Sequence, residues 1–182
     1  MKFKVFSKIR FFFLIYSVLI FSACHDSDKI EPEYGERTVL VYMAADNNLS
    51  EDGETNIESI LKGMEQTAGR LVIYIDPRYD VPRLLTVKGG KGCRLDTLET
   101  YTEENSASPE VLARVVKEVQ KRYPASSYGL VLWSHGLGWV PPEYSFPGAY
   151  SMRLPDPDMP RTKYYAEDEH PGTTGKAYMD IR

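Results

Sequence analysis

Cysteine is scarce in this sequence: only Cys24 and Cys93 occur among 182 residues. Small secreted folds without a large core rely on several disulfides. Two cysteines cannot supply such a framework, and the chain is long enough for one domain with a hydrophobic core of its own. The class of disulfide scaffolds is therefore excluded.

A membrane-spanning run is also missing. The apolar run at residues 11–21, "FFFLIYSVLIF", is shorter than the roughly 20 residues that a transmembrane helix needs. It follows four basic residues and precedes small ones, which is the pattern of a secretory signal peptide. We therefore assign residues 1–23 to a signal peptide that is absent from the mature protein.

The residues that follow this run resemble a bacterial lipobox, because Ala23 directly precedes Cys24. The resemblance implies cleavage before Cys24, a lipid on its sulfur, and an extracytoplasmic protein anchored to the bacterial cell envelope, with the outer membrane as the expected site. The alternative is an ordinary signal peptide with an incidental cysteine. Residues 24–36 are polar and read as a flexible tether, which leaves residues 37–182 for the domain.

Positive charge is in short supply as well. Residues 1–23 hold four of the 22 basic residues and none of the 26 acids, which leaves 18 basic residues against 26 acids. Nucleic-acid binding requires a basic patch, so nucleic acid is excluded as the partner.

Several catalytic signatures are missing. No Gly-x-Ser-x-Gly elbow occurs, which counts against an α/β hydrolase. No spacing matches an EF-hand or a zinc signature, so no metal site is predicted. We expect no cofactor, with Ca²⁺ as the alternative that the acids of the late segment would suit; these acids are Asp156, Asp158, Glu167, Asp168 and Glu169.

What the sequence does contain is an alternation of elements. Apolar runs at residues 38–45, 70–76 and 128–134 predict buried strands, and residues 82–102 predict a β-hairpin with a glycine-rich turn. Helices are predicted near residues 50–66 and 109–122, the second because Ser108 and Pro109 form a helix start. This order is typical of an α/β domain with a mainly parallel sheet flanked by helices.

Two polar segments should meet at the carboxyl edge of this sheet, where α/β proteins place their sites. His135 and Gly136 follow the third strand, and Asp46 and Asn47 follow the first. A histidine beside glycine at a strand end suits a general base, with the Gly136 N–H as an oxyanion donor, although such a histidine also occurs as a structural residue. Asp46 and Asn47 would line the cleft or start the next helix.

The late segment, residues 141–176, contains seven prolines and has no apolar period. We predict a long, proline-rich loop in which the acids are solvated. Cys93 follows the hairpin turn, which need not lie near the sheet edge, so we do not expect it to be a nucleophile.

Taken together, "TVLVYMAADNNLS", "RLVIYID", "SPEVLARVVKEV" and "YGLVLWSHGLGW" resemble the clostripain family of cysteine endopeptidases. The resemblance covers most of residues 38–139. It implies the three-layer caspase-like fold shared with caspases, legumain and gingipains, here incomplete. It also implies a Cys–His dyad that cleaves after Arg or Lys in protein or peptide substrates, with His135 as the histidine and the Gly136 N–H beside it as oxyanion donor.

The family's nucleophile lies in a motif resembling Asp-x-Cys, which this sequence lacks. The resemblance therefore implies that the nucleophilic cysteine lies in a missing carboxyl-terminal half, or in a separate heavy chain of a self-clipped protease. Arg153, Arg161 and Lys163 are candidate processing sites in the proline-rich segment. The chain alone should be inactive. The alternative function is a non-catalytic, lipid-anchored binding module with a protease-like fold.

Overall fold

The computed structural model describes residues 35–136, 164–170, 172 and 175–180. The predicted signal peptide, Cys24, most of the tether and the candidate processing sites Arg153, Arg161 and Lys163 lie outside these residues. The described elements are β1 Gly35–Ala45, α1 Ser50–Met64, β2 Arg70–Pro77, β3 Arg83–Lys88, β4 Asp96–Thr100, α2 Pro109–Arg122, β5 Ala125–Trp133, β6 Tyr164–Asp168 and β7 Ala177–Asp180.

Five of the strands form one sheet in the order β4-β3-β2-β1-β5. β1 lies between β2 and β5 and is parallel to both, so Met43 lies opposite Ile75 on one side and Trp133 on the other. β3 and β4 add an antiparallel hairpin at the β2 edge. The predicted parallel strands, the hairpin and both helices are therefore confirmed.

β1 is buried on both faces because each face is covered by a helix. Leu40, Tyr42 and Ala44 pack with the buried stripe of α2 on one face. Val41, Met43 and Ala45 pack with Ile57 of α1 on the other. Successive side chains of a strand point to opposite faces, so an uninterrupted apolar run is what a sheet covered on both sides requires.

α2 begins as the sequence predicts. Ser108 has an extended backbone, and its hydroxyl accepts hydrogen bonds from the backbone N–H groups of Glu110 and Val111, while Pro109 occupies the first helical position. This cap satisfies donors that the first helical turn leaves without partners. The cap and the apolar stripe together fix the position of α2 on the sheet.

The end of the predicted proline-rich loop is a strand, which corrects the loop assignment for residues 164–168. β6 pairs with β7 in antiparallel fashion, with a register shift next to Ala166, whose φ is +69°. The expectation of solvated acids is also wrong here, since Glu167 and Asp168 are buried. No periodic signal marks this strand, because it has only five residues and the partners of its acids lie elsewhere in the chain.

The outer side of β5 is open among the described residues. Leu130, Val131 and Leu132 are 50%, 47% and 42% exposed, although the neighbouring strand β1 is buried on both faces. Within the same residues, no helix is both long enough and apolar enough to cross a membrane.

Candidate active site

The carboxyl ends of β1 and β5 bring the two predicted polar segments together. Because Met43 lies opposite Trp133, residues 46–48 and 134–136 leave the sheet side by side. β6 and the residue after it contact both segments: the Ala166 N–H of β6 donates to the His135 carbonyl, and the N–H of Glu169, directly after β6, donates to the Asp46 carbonyl. The sheet edge, residues 46–48, residues 134–136 and β6 therefore form one site, which we call the rim.

His135 is half-buried at this rim. Its Nε2 lies 2.8 Å from Asn48 Oδ1. Its carbonyl oxygen is 3.0 Å from the Ala166 N–H nitrogen, so both the ring and the backbone are tied to neighbouring segments. A histidine held in this way has a defined ring orientation, which a general base needs.

Gly136 makes an antiparallel bridge with Tyr165 of β6. The bond from the Ala166 N–H to the His135 carbonyl shows that Gly136 and Tyr165 form a non-hydrogen-bonded pair, in which the Gly136 N–H points away from β6. A Cβ at this position would lie 3.1 Å from the Tyr164 carbonyl oxygen, so glycine allows β6 to approach closely. The Gly136 N–H is therefore not used by β6, and its role as an oxyanion donor stays a prediction.

Ser134 has a structural role. Its hydroxyl donates to the Ala44 carbonyl at 2.6 Å and accepts a bond from the Glu167 N–H at 3.3 Å. The hydroxyl therefore joins β1, β5 and β6, and it is occupied by backbone partners rather than by His135.

Asn47 is fully buried, and its carboxamide is used by backbone groups. Nδ2 donates to the carbonyls of Ala44 and Glu167, and Oδ1 accepts from the Leu49 N–H just before α1. This geometry favours the helix-start role over the cleft role. The cleft role of Asn47 stays a prediction.

Asp46 is 2% exposed, and its two carboxylate oxygens lie 2.7 and 3.0 Å from Nδ1 of His170. The hydrogen bond and the negative charge of Asp46 raise the pKa of His170. Sequence reasoning missed this partner, because 124 residues separate the two and His170 lies in a segment that reads as a loop. The structure thus places Asp46 at the rim beside His170, and its contact with substrate stays a prediction.

Two more carboxyl groups lie buried near Asp46. Burial raises the pKa of Asp76 to about 9 against the opposing effect of the nearby Ser106 side chain, and neither carboxyl oxygen of Asp76 makes a hydrogen bond of standard geometry with a described residue. Burial also raises the pKa of Asp168 to about 6, even though the Ser106 N–H and hydroxyl donate to it at 2.7 and 3.0 Å. Within the described residues, no cluster of His, Cys, Asp and Glu has the arrangement of a metal site.

The remaining acids of β6 and its flank pair with basic side chains. Lys176 contacts both Glu167 and Glu169, and Arg78 contacts Glu169 at 2.6 Å. These ion pairs join β6, the segment before β7 and the end of β2. They explain how acids that read as solvated in the sequence are accommodated at the buried rim.

Cys93 lies at the opposite end of the strands from the rim, near the amino end of β2. β3 is antiparallel to β2 with Lys88 opposite Arg70, so the turn after β3 sits at the amino end of β2. The Gly89 N–H bonds to the Gly69 carbonyl there, and the Cys93 thiol contacts the Leu61 carbonyl. At about 3.3 Å per residue, the length of β2 alone separates this turn from the rim by about 23 Å.

This chain is similar to known cysteine proteases. The sequence model of the clostripain family matches residues 41–153. Clostripain from Hathewaya histolytica is 28% identical over an alignment of length 123 that covers 56% of this chain and 23% of that protein. The chain therefore spans less than a quarter of that relative's length.

Two solved structures are similar in fold and sequence. The B. fragilis cysteine protease is 40% identical with a TM-score of 0.54, and the match covers 62% of this chain and 98% of that one. A secreted C11 cysteine protease from Bacteroides thetaiotaomicron, solved with an irreversible peptide inhibitor, is 31% identical with a TM-score of 0.61. That match covers 81% of this chain and 37% of the other.

Proposed function

Because the chain belongs to the clostripain family of cysteine peptidases, we propose that it forms the histidine-bearing part of an endopeptidase with a Cys–His dyad. Its mainly parallel sheet and two flanking helices match C11 protease structures, so the predicted caspase-like fold is confirmed for the part that they cover. The observation that carries the proposal is the placement of His135 and Gly136 at the end of β5, with the ring held by Asn48.

In this proposal His135 is the general base. It takes the proton of a cysteine thiol, the thiolate attacks the scissile carbonyl carbon, and the developing oxyanion accepts a hydrogen bond from the Gly136 N–H. His135 then gives the proton to the leaving amine as the C–N bond breaks, and water hydrolyses the remaining thioester. A general base contributes roughly 10²- to 10⁴-fold, but only to a reaction that a nucleophile is performing.

The nucleophile of this dyad is a cysteine other than Cys93. Cys93 lies near the amino end of β2, at the opposite end of the strands from the rim, as the register of β2 and β3 shows. We propose that the thiol comes from a carboxyl-terminal segment or a separate heavy chain that packs along the open side of β5. The match covers 98% of the B. fragilis chain but 37% of the B. thetaiotaomicron chain, so the comparisons are compatible with either arrangement.

Substrate and location follow from the resemblance. We propose cleavage after Arg or Lys, anchoring through a lipid on Cys24 on the extracytoplasmic side of the cell envelope, and maturation by cleavage at Arg153, Arg161 or Lys163. Asp46 would line the cleft beside His135.

The binding-module alternative receives little support from the rim. That alternative needs an acidic loop displayed to a partner, whereas Glu167, Asp168 and Glu169 are directed to Lys176, Ser106 and Arg78. These three acids are used within the domain; Asp156 and Asp158 lie outside the described residues.

A thiol-reactive probe tests the proposal, whichever chain carries the nucleophile. A tagged copy of the protein is purified from its native host and treated with a biotinylated peptidyl acyloxymethyl ketone that carries Lys or Arg next to the ketone. We expect the label on a cysteine that is neither Cys24 nor Cys93, identified by mass spectrometry. His135→Ala should lower the labelling rate by about 100-fold or more, because the thiol loses its base.

Cys93→Ala serves as the matched control and should label like the wild type. Label on Cys93 would contradict the dyad assignment. A probe with Asp next to the ketone should label much more slowly, and equal labelling by the Asp and Lys probes would contradict the specificity. If no probe labels any copurifying cysteine, the binding-module alternative is supported instead.

A further inference from the structure

We propose that Asn48 is a positioning residue for His135, which it holds in the tautomer with the proton on Nε2. The catalytic meaning of this contact rests on the proposed function, but the contact itself does not. The Asn48 side chain does not touch the reacting atoms; it acts through the imidazole ring. The observation is the 2.8 Å separation of Asn48 Oδ1 and His135 Nε2.

Both partners of this contact stand on fixed backbone. Asn47, directly before Asn48, is buried and tied by its carboxamide to β1, β6 and the start of α1. His135 is fixed by the bond between its carbonyl and Ala166. A side-chain bond between two fixed backbones loses less conformational entropy than one between mobile loops, so it can orient the ring effectively.

The chemistry of the amide oxygen favours one tautomer of His135. A carboxamide oxygen only accepts hydrogen bonds, so a neutral imidazole meets it with the Nε2 proton and carries its lone pair on Nδ1. Nδ1 is then the nitrogen that takes the thiol proton. The amide also stabilises the imidazolium after proton transfer, because its oxygen accepts equally well from the charged ring.

The same loop provides an internal comparison. Asp46, two residues before Asn48, contacts His170 with its carboxyl group and raises the pKa of that histidine. Asn48 contacts His135 with a neutral oxygen. One loop thus holds two histidines of the rim, one with a carboxylate and one with an amide, and only the amide orients its ring without adding a charge.

The test measures the tautomer of the His135 imidazole directly by NMR. The full chain is labelled with ¹⁵N-histidine, and long-range ¹H–¹⁵N spectra give the tautomer and titration of His135, with His170 as internal reference. In the wild type we expect the Nε2–H form to dominate. Asn48→Ala should shift the ratio of the two tautomers by about 2- to 12-fold, the range that one neutral hydrogen bond supports. The matched control is Asn56→Ala, an exposed asparagine on α1, and it should leave the ratio unchanged.

Asn48→Asp provides the second variant, since it keeps the size of the side chain and the acceptor oxygen. It should keep the Nε2–H tautomer and raise the pKa of His135, as Asp46 does for His170. In the probe experiment, Asn48→Ala should lower the labelling rate about 10-fold, and Asn48→Asp should restore part of that loss at a shifted pH optimum.

Several outcomes would overturn the proposal. One is a wild-type spectrum in which Nδ1 carries the proton, which would mean that the Asn48 amide donates rather than accepts. Others are an Asn48→Ala spectrum identical to that of Asn56→Ala, or an Asn48→Asp variant with an unchanged His135 titration. Failure of the proposed function looks different: the wild-type protein would show no probe labelling, while the tautomer spectra would still read as predicted.

Discussion

At the scale of single residues, the rim depends on polar groups whose surroundings differ sharply. Asp46 is buried with the half-exposed His170 as its partner, whereas Asp76 is buried with no hydrogen bond of standard geometry to its carboxyl group among the described residues. The first carboxyl group has a basic side chain as its partner, and the second keeps its proton because burial raises its pKa to about 9. Substitutions at the two sites should therefore change stability with pH in different ways.

The Asp46–His170 pair should stabilise the fold most at low pH. The pKa of His170 is raised in the folded protein, so its contribution is complete below the unfolded-state value of about 6.5 and is lost as the pH rises through the folded-state value. We expect His170→Gln to lower the free energy of unfolding by up to about 1 kcal/mol at pH 5.5, since half of the histidine is exposed. The difference from wild type should shrink by pH 9.

Urea unfolding at both pH values measures this, and a cycle with Asp46→Asn assigns the effect to the pair. The coupling energy between the two substitutions should be present at pH 5.5 and close to zero at pH 9. A coupling energy that does not change with pH would show that the charge on His170 is not its source.

Asp76 should destabilise the fold as the pH rises. Burial raises its pKa to about 9, so the folded protein keeps a proton that the unfolded chain releases above about pH 4. For this carboxyl group, stability is therefore greatest at low pH and falls between about pH 4 and pH 9. Asp76→Asn removes the titrating group and keeps the shape of the side chain.

We expect the free energy of unfolding of Asp76→Asn, relative to wild type, to rise by at least about 1 kcal/mol between pH 5 and pH 8. Urea denaturation at these pH values measures it. Asp80→Asn, a change at an exposed aspartate in the segment after the same strand, is the control and should show no such trend. A flat difference for Asp76→Asn would mean that its carboxyl group is ionised in the folded protein.

At the scale of elements, the sequence predicted those parts whose signals are local. β1, β2 and β5 are apolar runs that need burial on both faces, and α2 combines a serine cap with an apolar stripe. β6 was missed because its signal is not local. Its strand is short, its acids resemble loop residues, and the groups that compensate them, such as Ser106 and Arg78, lie far away in the sequence.

The same distinction between local and non-local sequence signals applies to the residues of the candidate site. His135 and Gly136 could be found because a parallel sheet collects strand ends at one edge, which topology alone dictates. The Asp46–His170 pair and the Asn48–His135 contact depend on how loops pack in three dimensions. No spacing in the sequence encodes those distances, so they became visible only with the structure.

The docking of β6 on the rim should depend on Tyr165. Its side chain is buried, and its hydroxyl donates to the Tyr42 carbonyl of β1 at 2.9 Å and lies 3.3 Å from the Trp133 carbonyl of β5. Tyr165→Phe removes this link and should weaken the local stability of β6 by about 1 kcal/mol. Hydrogen exchange of the Ala166 N–H, which is bonded to His135, should then become about 5-fold faster.

Tyr79→Phe is a suitable control, because Tyr79 is 83% exposed. It should leave the exchange of Ala166 unchanged. Equal exchange rates in the wild type and Tyr165→Phe would mean that the strand is held by β7 and the Lys176 ion pairs rather than by this hydroxyl.

At the scale of the whole molecule, the two edges of the sheet are built differently. The β4 edge is polar, and it carries Asp96 and Glu99 in ion pairs with Arg94 and Arg122. Charges at an edge strand discourage pairing with another chain. The β5 edge has no comparable protection among the described residues, since Leu130, Val131 and Leu132 are about half exposed. We infer that another polypeptide segment covers the outer side of β5 in the functional protein.

Without its covering partner, the isolated chain should self-associate through β5. An apolar edge strand offers both unpaired backbone groups and hydrophobic side chains to a second copy. Val131→Lys places a charge in the middle of this surface and should weaken self-association by at least about 10-fold, as measured by sedimentation velocity across a concentration series. Val81→Lys is the matched control, because Val81 is 43% exposed but lies in the loop between β2 and β3.

The two lysine variants separate a specific edge effect from a general gain in solubility. Replacing an exposed valine by a charged side chain removes apolar surface wherever it is done, so an equal response of both variants would remove the evidence for β5 as the association surface. A monodisperse wild-type monomer would contradict the prediction outright. If Val131→Lys also reduces probe labelling in the native host while Val81→Lys does not, the surface that self-associates in isolation is the one along which the thiol-bearing segment packs in the protease.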